Sequence, residues 1–234
     1  MISVAIIGLG NVGTHLYHAF KSNSDIHVIH LNSRNLKDTS NVDIAIIAVS
    51  DDAITEVSKH LKAPLVVHTS GSASMDELQN IGSKGVLYPL QTFTKDKIVD
   101  FTNIPICLEA ENGDDLMLLE KLASCVSKQV FHINSEQRKS IHVSAVFVNN
   151  FVNHMYTMAH TICNDHNVPF EILHPLIKET ADKIKSISPI EAQTGPAKRN
   201  DAKTIKKHLD LLNQHQQEIY TKLTESIQSY GKKL

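Results

Sequence analysis

The stretch "AIIGLGNVG", residues 5–13, decides the fold. It closes a short apolar run, ISVAII at 2–7, rich in β-branched residues, which reads as a strand buried on both faces. Three glycines follow, and residues 11–21 then carry Val12, Leu16, Ala19 and Phe20 at helical spacing. Strand, glycine turn and helix in this order match a dinucleotide-binding fingerprint. In that reading Gly8 allows the tight turn, Gly10 lets a pyrophosphate approach the backbone, and Gly13 lets the helix pack close to the strand. Leu9, Asn11 and Val12 complete the loop, and the first amides of the helix would face the phosphates. The alternative is a glycine-rich turn with no ligand.

Outward from this unit, apolar segments alternate with helical ones. IHVIHL (26–31), DIAIIAV (43–49), VVH (66–68), GVLY (85–88), IPICL (104–108) and QVFHI (129–133) read as further strands. Residues 52–61 and 113–126 read as helices between them. The alternation predicts an α/β fold with an open, mostly parallel sheet. From Ser135 no strand candidate remains. Residues 136–165 read as one long helix and 170–187 as a second. Asn200 or Asp201 caps a third, whose apolar positions from Ile205 to Tyr230 keep helical spacing. The expected division is therefore 1–134, a nucleotide-binding domain, and 135–234, an all-helical domain. Only ten residues, Asn32 to Asn41, join the second strand to DIAIIAV. That is too short for a full crossover helix with its turns, so an irregular connection is expected.

The end of the second strand selects the nucleotide. An NAD site usually places a carboxylate there for the ribose 2′-hydroxyl. Asn32-Ser33-Arg34 stands in that place, and an Arg beside hydroxyl and amide donors suits a 2′-phosphate, so NADP(H) is preferred. The alternative is a solvated loop arginine. "AVSDDAI" (48–54) ends a buried strand and opens a helix, which puts Val49, Ser50 and Asp51 along the cofactor. Asp51 and Asp52 serve equally well as helix-start acids. "HTSGS" (68–72) supplies Thr69 and Ser70 toward the nicotinamide.

Composition narrows the partners. The 234 residues are 41% apolar and 21% charged, with a formal net charge of −2. No basic excess points to nucleic acid or an anionic membrane, and no apolar run spans a bilayer. The chain starts directly on a strand with no signal peptide ahead of it, so the expected compartment is the cytoplasm. Cys107, Cys125 and Cys163 form no C-x-x-C pair and read as reduced thiols. His160, Cys163 and His166 share helical spacing but lack a fixed fourth ligand, so no metal is expected.

"GLGNVG", "AVSDDAI", "VVHTSGS", "YPLQTF", "HVSAVFVNNFVNH" and "QTGPAKRND" together resemble a bacterial family known as domain of unknown function 2520. The resemblance spans nearly the whole chain. The family looks similar to pyrroline-5-carboxylate reductase, ketopantoate reductase and 6-phosphogluconate dehydrogenase. It implies a Rossmann-type domain that binds NADP and a helical second domain that builds a dimer. Several of those relatives carry Lys-x-x-x-Asn on the first helix of the second domain. Here Asn149 and Asn150 match the Asn, but Ala145 and Val146 stand four residues earlier.

The 136–165 helix reads as apolar on nearly all sides, which predicts a buried position completed by a second subunit in a homodimer. At about 100° per residue, Arg138, His142, Asn149, Asn153 and Tyr156 fall within about 60° of one another. This polar stripe is either a structural hydrogen-bond network or the wall of a cleft. In the second case His142, Asn149 and Asn153 are the catalytic candidates, with His142 as proton donor. Gln91 and Thr92 of "YPLQTF", and Gln193 of "QTGPA", are candidate substrate donors. The expected activity is an NADP(H)-dependent oxidoreductase passing hydride to a small molecule. The alternative is an NADP-binding sensor without turnover.

Overall fold

Short strands dominated by apolar residues organise the first half of the chain. In the computed structural model, which describes residues 1–230 apart from Asp96 and Ile98, β1 (Ile2–Ile7) pairs in parallel with β2 (Ile26–Leu31) on one side and β3 (Ile44–Ile47) on the other. β4 (Leu65–His68) and β5 (Ser83–Pro89) extend the parallel set. β6 (Ile106–Ala110) then runs antiparallel to β5, with Tyr88 opposite Cys107, and β7 (Val130–His132) pairs in parallel with β6. The order is β2-β1-β3-β4-β5-β6-β7. The strands need apolar residues on both faces because helices cover both. Val4 and Ile6 face one layer with Leu16 and Phe20 of α1 (Asn11–Lys21) and Leu119 and Leu122 of α3 (Gly113–Ser124). Ala5 and Ile7 face the other with Ile54 of α2 (Asp51–Ser58).

Residues 32–43 contain neither helix nor strand, as the short linker requires. β2 is consequently a sheet edge, and Thr39 anchors the linker by accepting the Lys62 amide at 2.8 Å.

The reading of 136–165 as one α-helix is corrected. α4 (Ser135–Ala145) is followed by a π-helical segment, Val146–Phe151, and then by α5 (Val152–Asp165). α4 starts at an Asn134 cap: Asn134 Oδ1 accepts the Gln137 amide, and Gln137 Oε1 accepts the Asn134 amide, both at 2.9 Å. Nor is this region apolar all round, since the first turns of α4 are polar.

The chain divides into two compact units after residue 150 rather than after 134. Arg138 explains the difference. Its side chain is fully buried, forms an ion pair with Glu109 of β6, and donates to the Ala73 carbonyl at 2.6 Å, so α4 belongs to the first unit. In the second unit, 170–187 is a short 3-10 turn (Phe170–Leu173) and α6 (His174–Lys183), followed by the single turn α7 (Pro189–Ala192). The third helix is two: α8 (Ala202–Leu209), capped by Asp201, and α9 (Gln214–Tyr230). Asn213 causes the break, because its side chain accepts the Gln216 amide at 3.0 Å and starts a new helix. No strand occurs among the described residues of this unit, and none of the described helices is long and apolar enough to cross a membrane.

Beside Arg138 lies His68, fully enclosed at the end of β4, with Nδ1 accepting the Ser70 amide at 3.1 Å. Burial, with the Arg138 charge adding to it, pushes the His68 imidazole down to about 4 from its ordinary 6.5. The unfolded chain takes up this proton at a higher pH than the folded one does. Stability is therefore full above about pH 6.5 and falls as pH drops to about 4, by about 3 kcal/mol. Urea unfolding measured between pH 4 and 7 should show this slope, and His68→Met should flatten it. In the same assay at pH 7, Arg138→Met should cost about 3 kcal/mol, since it strands the Glu109 carboxylate. Adding Glu109→Gln should restore part of that loss.

Candidate functional site

The three glycines after β1 do different work. Gly8 has φ +121°, and a Cβ there would collide with the Ala48 carbonyl oxygen. A Cβ on Gly13 would collide with the Gly8 carbonyl. Both are required by the protein's own packing. Gly10 is not: nothing lies within 4 Å of where its Cβ would stand. It is also the N-cap residue of α1, and no side chain caps that helix, so its first-turn amides point out without a side-chain acceptor.

A cavity of about 600 Å³ opens over this loop at the carboxyl ends of β1, β3 and β4. Gly8, Leu9, Gly10, Asn11, Val12, Ser33, Arg34, Val49, Ser50 and Thr69 all line it. Four of the expected cofactor residues do not. Gly13 is buried in the α1 contact. Asn32 spends its side chain on its own turn, where Oδ1 accepts the Arg34 amide at 2.9 Å, and so presents Ser33 and Arg34 instead. Asp51 accepts the Ser72 hydroxyl at the start of α2, where Ser50 is the N-cap residue. Ser70 is buried and holds the β4 loop by accepting the Ser72 and Ala73 amides at 3.1 and 2.9 Å. Arg34 is exposed and joins no ion pair among the described residues.

Two contributors escaped the sequence reading. Glu56, one turn into α2, lines the same cavity, with its carboxyl held below the ordinary value by hydrogen bonds from Lys59 and His60. His30 of β2 donates from Nε2 to the Gly8 carbonyl at 2.7 Å and stacks on Tyr17 of α1, which pins the turn. Asn11 is also engaged: its amide donates to the Phe93 carbonyl at 3.0 Å, tying the glycine loop to "YPLQTF".

A second cavity, of about 450 Å³, lies at the end of β5. Tyr88, Gln91 and Thr92 line it from the strand side, and His142, Asn149 and Asn150 from α4 and the π segment. Tyr88 Oη and His142 Nδ1 are 3.0 Å apart. Burial, aided by neighbouring Cys107, pushes the Tyr88 phenol up to about 12. The phenol therefore keeps its proton, and in the tautomer where it donates to Nδ1 the imidazole carries its proton on Nε2, facing away from Tyr88. Gly71 permits this arrangement. A Cβ there would collide with the His142 ring and come within 2.9 Å of Tyr88 Cζ, so the β4 loop lies directly against the pair. Tyr88 and Gly71 sit inside motifs quoted from the sequence, but nothing in the spacing singles them out.

The polar stripe does not survive intact. Arg138 is structural, and His142 and Asn149 line the cavity, with Asn149 Nδ2 donating to Asn150 Oδ1 at 3.4 Å. The π segment changes the angular step, so the 100° reading fails beyond Ala145. Asn153 and Tyr156 belong to the second unit, as does Gln193, whose amide donates to the neighbouring Thr194 carbonyl at 2.9 Å. Among the described residues no group of three His, Cys, Asp or Glu is placed to hold a metal ion.

Comparison with known proteins places this geometry in context. The chain aligns with the crystal structure of a candidate NADP oxidoreductase from Bacteroides fragilis at 32% identity and TM-score 0.85, covering 97% of this chain and 98% of that one. It shares the fold of 1-pyrroline-5-carboxylate reductase from Streptococcus pyogenes, at 14% identity and TM-score 0.65 over 100% and 99% of the two chains. It also shares that of an imine reductase from Myxococcus stipitatus in complex with NADP+, at 14% identity and TM-score 0.63 over 99% and 93%. These likenesses confirm a Rossmann-type α/β fold. No protein of curated function matches the chain in sequence. Residues 104–227 match the family described as Domain of unknown function (DUF2520), so more than half of the chain carries its signature, and the protein belongs to that family.

Proposed function

We propose that the protein binds NADP(H) in the cavity over the glycine loop and passes hydride between its nicotinamide and a small molecule. The observation that carries this reading is the convergence, on one cavity, of the open space at Gly10, the uncapped first turn of α1, and Ser33 with Arg34. An anion at the α1 N-terminus gains from the amides and the helix dipole. Arg34 suits a 2′-phosphate, which a carboxylate in its place would repel. The names of the Bacteroides fragilis and Myxococcus stipitatus proteins support the same cofactor. When bound, the cofactor supplies or accepts the hydride. Val49, Ser50 and Thr69 would flank it, His142 would handle the proton, and Gln91, Thr92 and Asn149 would orient the substrate. Ala145 and Val146, in place of the lysine found in the similar dehydrogenases, favour a second reading, a binding protein without turnover. Loss of NADPH absorbance with a carbonyl substrate separates the two.

Calorimetry should find NADPH bound more tightly than NADH. Arg34→Ala should remove most of that preference, on the order of 1.5–3 kcal/mol for hydrogen bonds to a charged group. Gly10→Ala should weaken both cofactors while leaving the melting temperature nearly unchanged, because its Cβ enters the cavity and not the core. Equal affinities in the unmodified protein would refute the assignment. We also propose a homodimer built through the 136–165 region. Val143, outside the cavity beside Tyr88, is 57% exposed there, apolar surface that a partner subunit would cover. Light scattering at micromolar concentration should return twice the chain mass, and a monomer mass would exclude this assembly.

A further inference from the structure

The cavity beside Tyr88 and His142 has a chemical character that narrows its occupant. Among the described residues, no Lys, Arg, Asp or Glu lines it. Its polar groups are the phenol and imidazole, the side-chain amides of Gln91, Asn149 and Asn150, and the hydroxyls of Thr92 and Ser144. Leu90, Ile141, Val146 and Val148 supply apolar wall. The nearby cation, Arg138, is fully buried, pairs its terminal nitrogens with Glu109, the Ala73 carbonyl and Ser135 Oγ, and does not line the cavity. A carboxylate in this space would meet no guanidinium or ammonium partner, a lack that amide and hydroxyl donors only partly offset. An uncharged carbonyl meets donors of the right kind and apolar walls for its carbon skeleton.

We infer that this cavity receives an uncharged, partly apolar ketone or aldehyde, oriented by His142 Nε2–H, and discriminates against carboxylated carbonyl compounds. The inference rests on the proposed hydride transfer. In the step it implies, hydride from the reduced cofactor forms the new C–H bond, and the C=O π pair moves onto oxygen. That oxygen takes the His142 Nε2 proton as Nδ1 takes the Tyr88 proton, and one proton taken up from solvent restores the phenol. The products are the alcohol and the oxidised cofactor.

The test uses the intact protein, saturating NADPH, and matched pairs: cyclohexanone with 3-oxocyclohexanecarboxylate, and acetophenone with 3-acetylbenzoate. The uncharged member should have a kcat/KM at least tenfold higher in each pair. Asn149→Lys, a change at an exposed position on the cavity wall, should shift that ratio at least tenfold toward the carboxylated member. Equal or reversed preference in the unmodified protein overturns the inference, as does NADPH binding with no turnover of any pair. Calorimetry with NADPH alone distinguishes the two levels. Absence of binding defeats the cofactor reading and this one with it, whereas normal binding with a preference for carboxylates defeats only the substrate class.

Discussion

The close approach of α1 to the end of β1 is the constraint on which the rest depends. Gly8 turns the chain at positive φ under the Ala48 carbonyl, and Gly13 then rests on the Gly8 carbonyl. Only hydrogen fits at either α-carbon, so the helix axis is fixed against both β1 and β3. His30 locks the turn from the far side through the Gly8 carbonyl, and Asn11 locks the loop to Phe93. Three strands and the "YPLQTF" segment are thereby referred to one turn. The amides of α1 are aimed as a consequence of packing, with no ligand needed to organise them.

Arg138 plays the corresponding part for the second cavity. A fully buried guanidinium is expensive unless every direction is answered. Here Glu109, the Ala73 carbonyl and Ser135 answer its two terminal nitrogens, leaving Nε without a partner among the described residues, and this draws α4 down onto β6 and the β4 loop together. His142 lies one turn further along α4, and so arrives against Tyr88. Burial chiefly keeps the proton off His68, and the Arg138 charge adds to it, so the residue that seats the helix also contributes to the acid limit on stability.

Much of this was legible. Unbroken apolar runs marked buried strands, and the irregular 32–43 linker followed from its length and its Asn, Ser and Asp content. Ten of the fourteen expected cofactor residues face the cavity, because strand ends and glycine turns leave little freedom. The failures have specific causes. Asn32 and Ser70 have short polar side chains that bond their own backbone before they can serve a ligand. The π segment was invisible because its residues, VFVNNF, carry no breaker. Asn213 ended a helix whose apolar spacing continued past it, since a local cap outweighs periodicity.

Gly71 shows how the two cavities are related within the first unit. It follows Thr69, which lines the cavity over the glycine loop, and it lies against the Tyr88–His142 pair, which lines the other. The β4 loop thus touches both, and it has no slack: Ser70 Oγ accepts two amides, and Ser72 donates to Asp51. A side chain at position 71 would push the imidazole away from the loop and open the phenol hydrogen bond that orients it. The placement of the Tyr88–His142 pair beside the β4 loop is in this way enforced by a missing Cβ, much as the glycine loop is. Both are features of backbone contact, which a reading of side-chain types alone detects only where a known pattern happens to surround them.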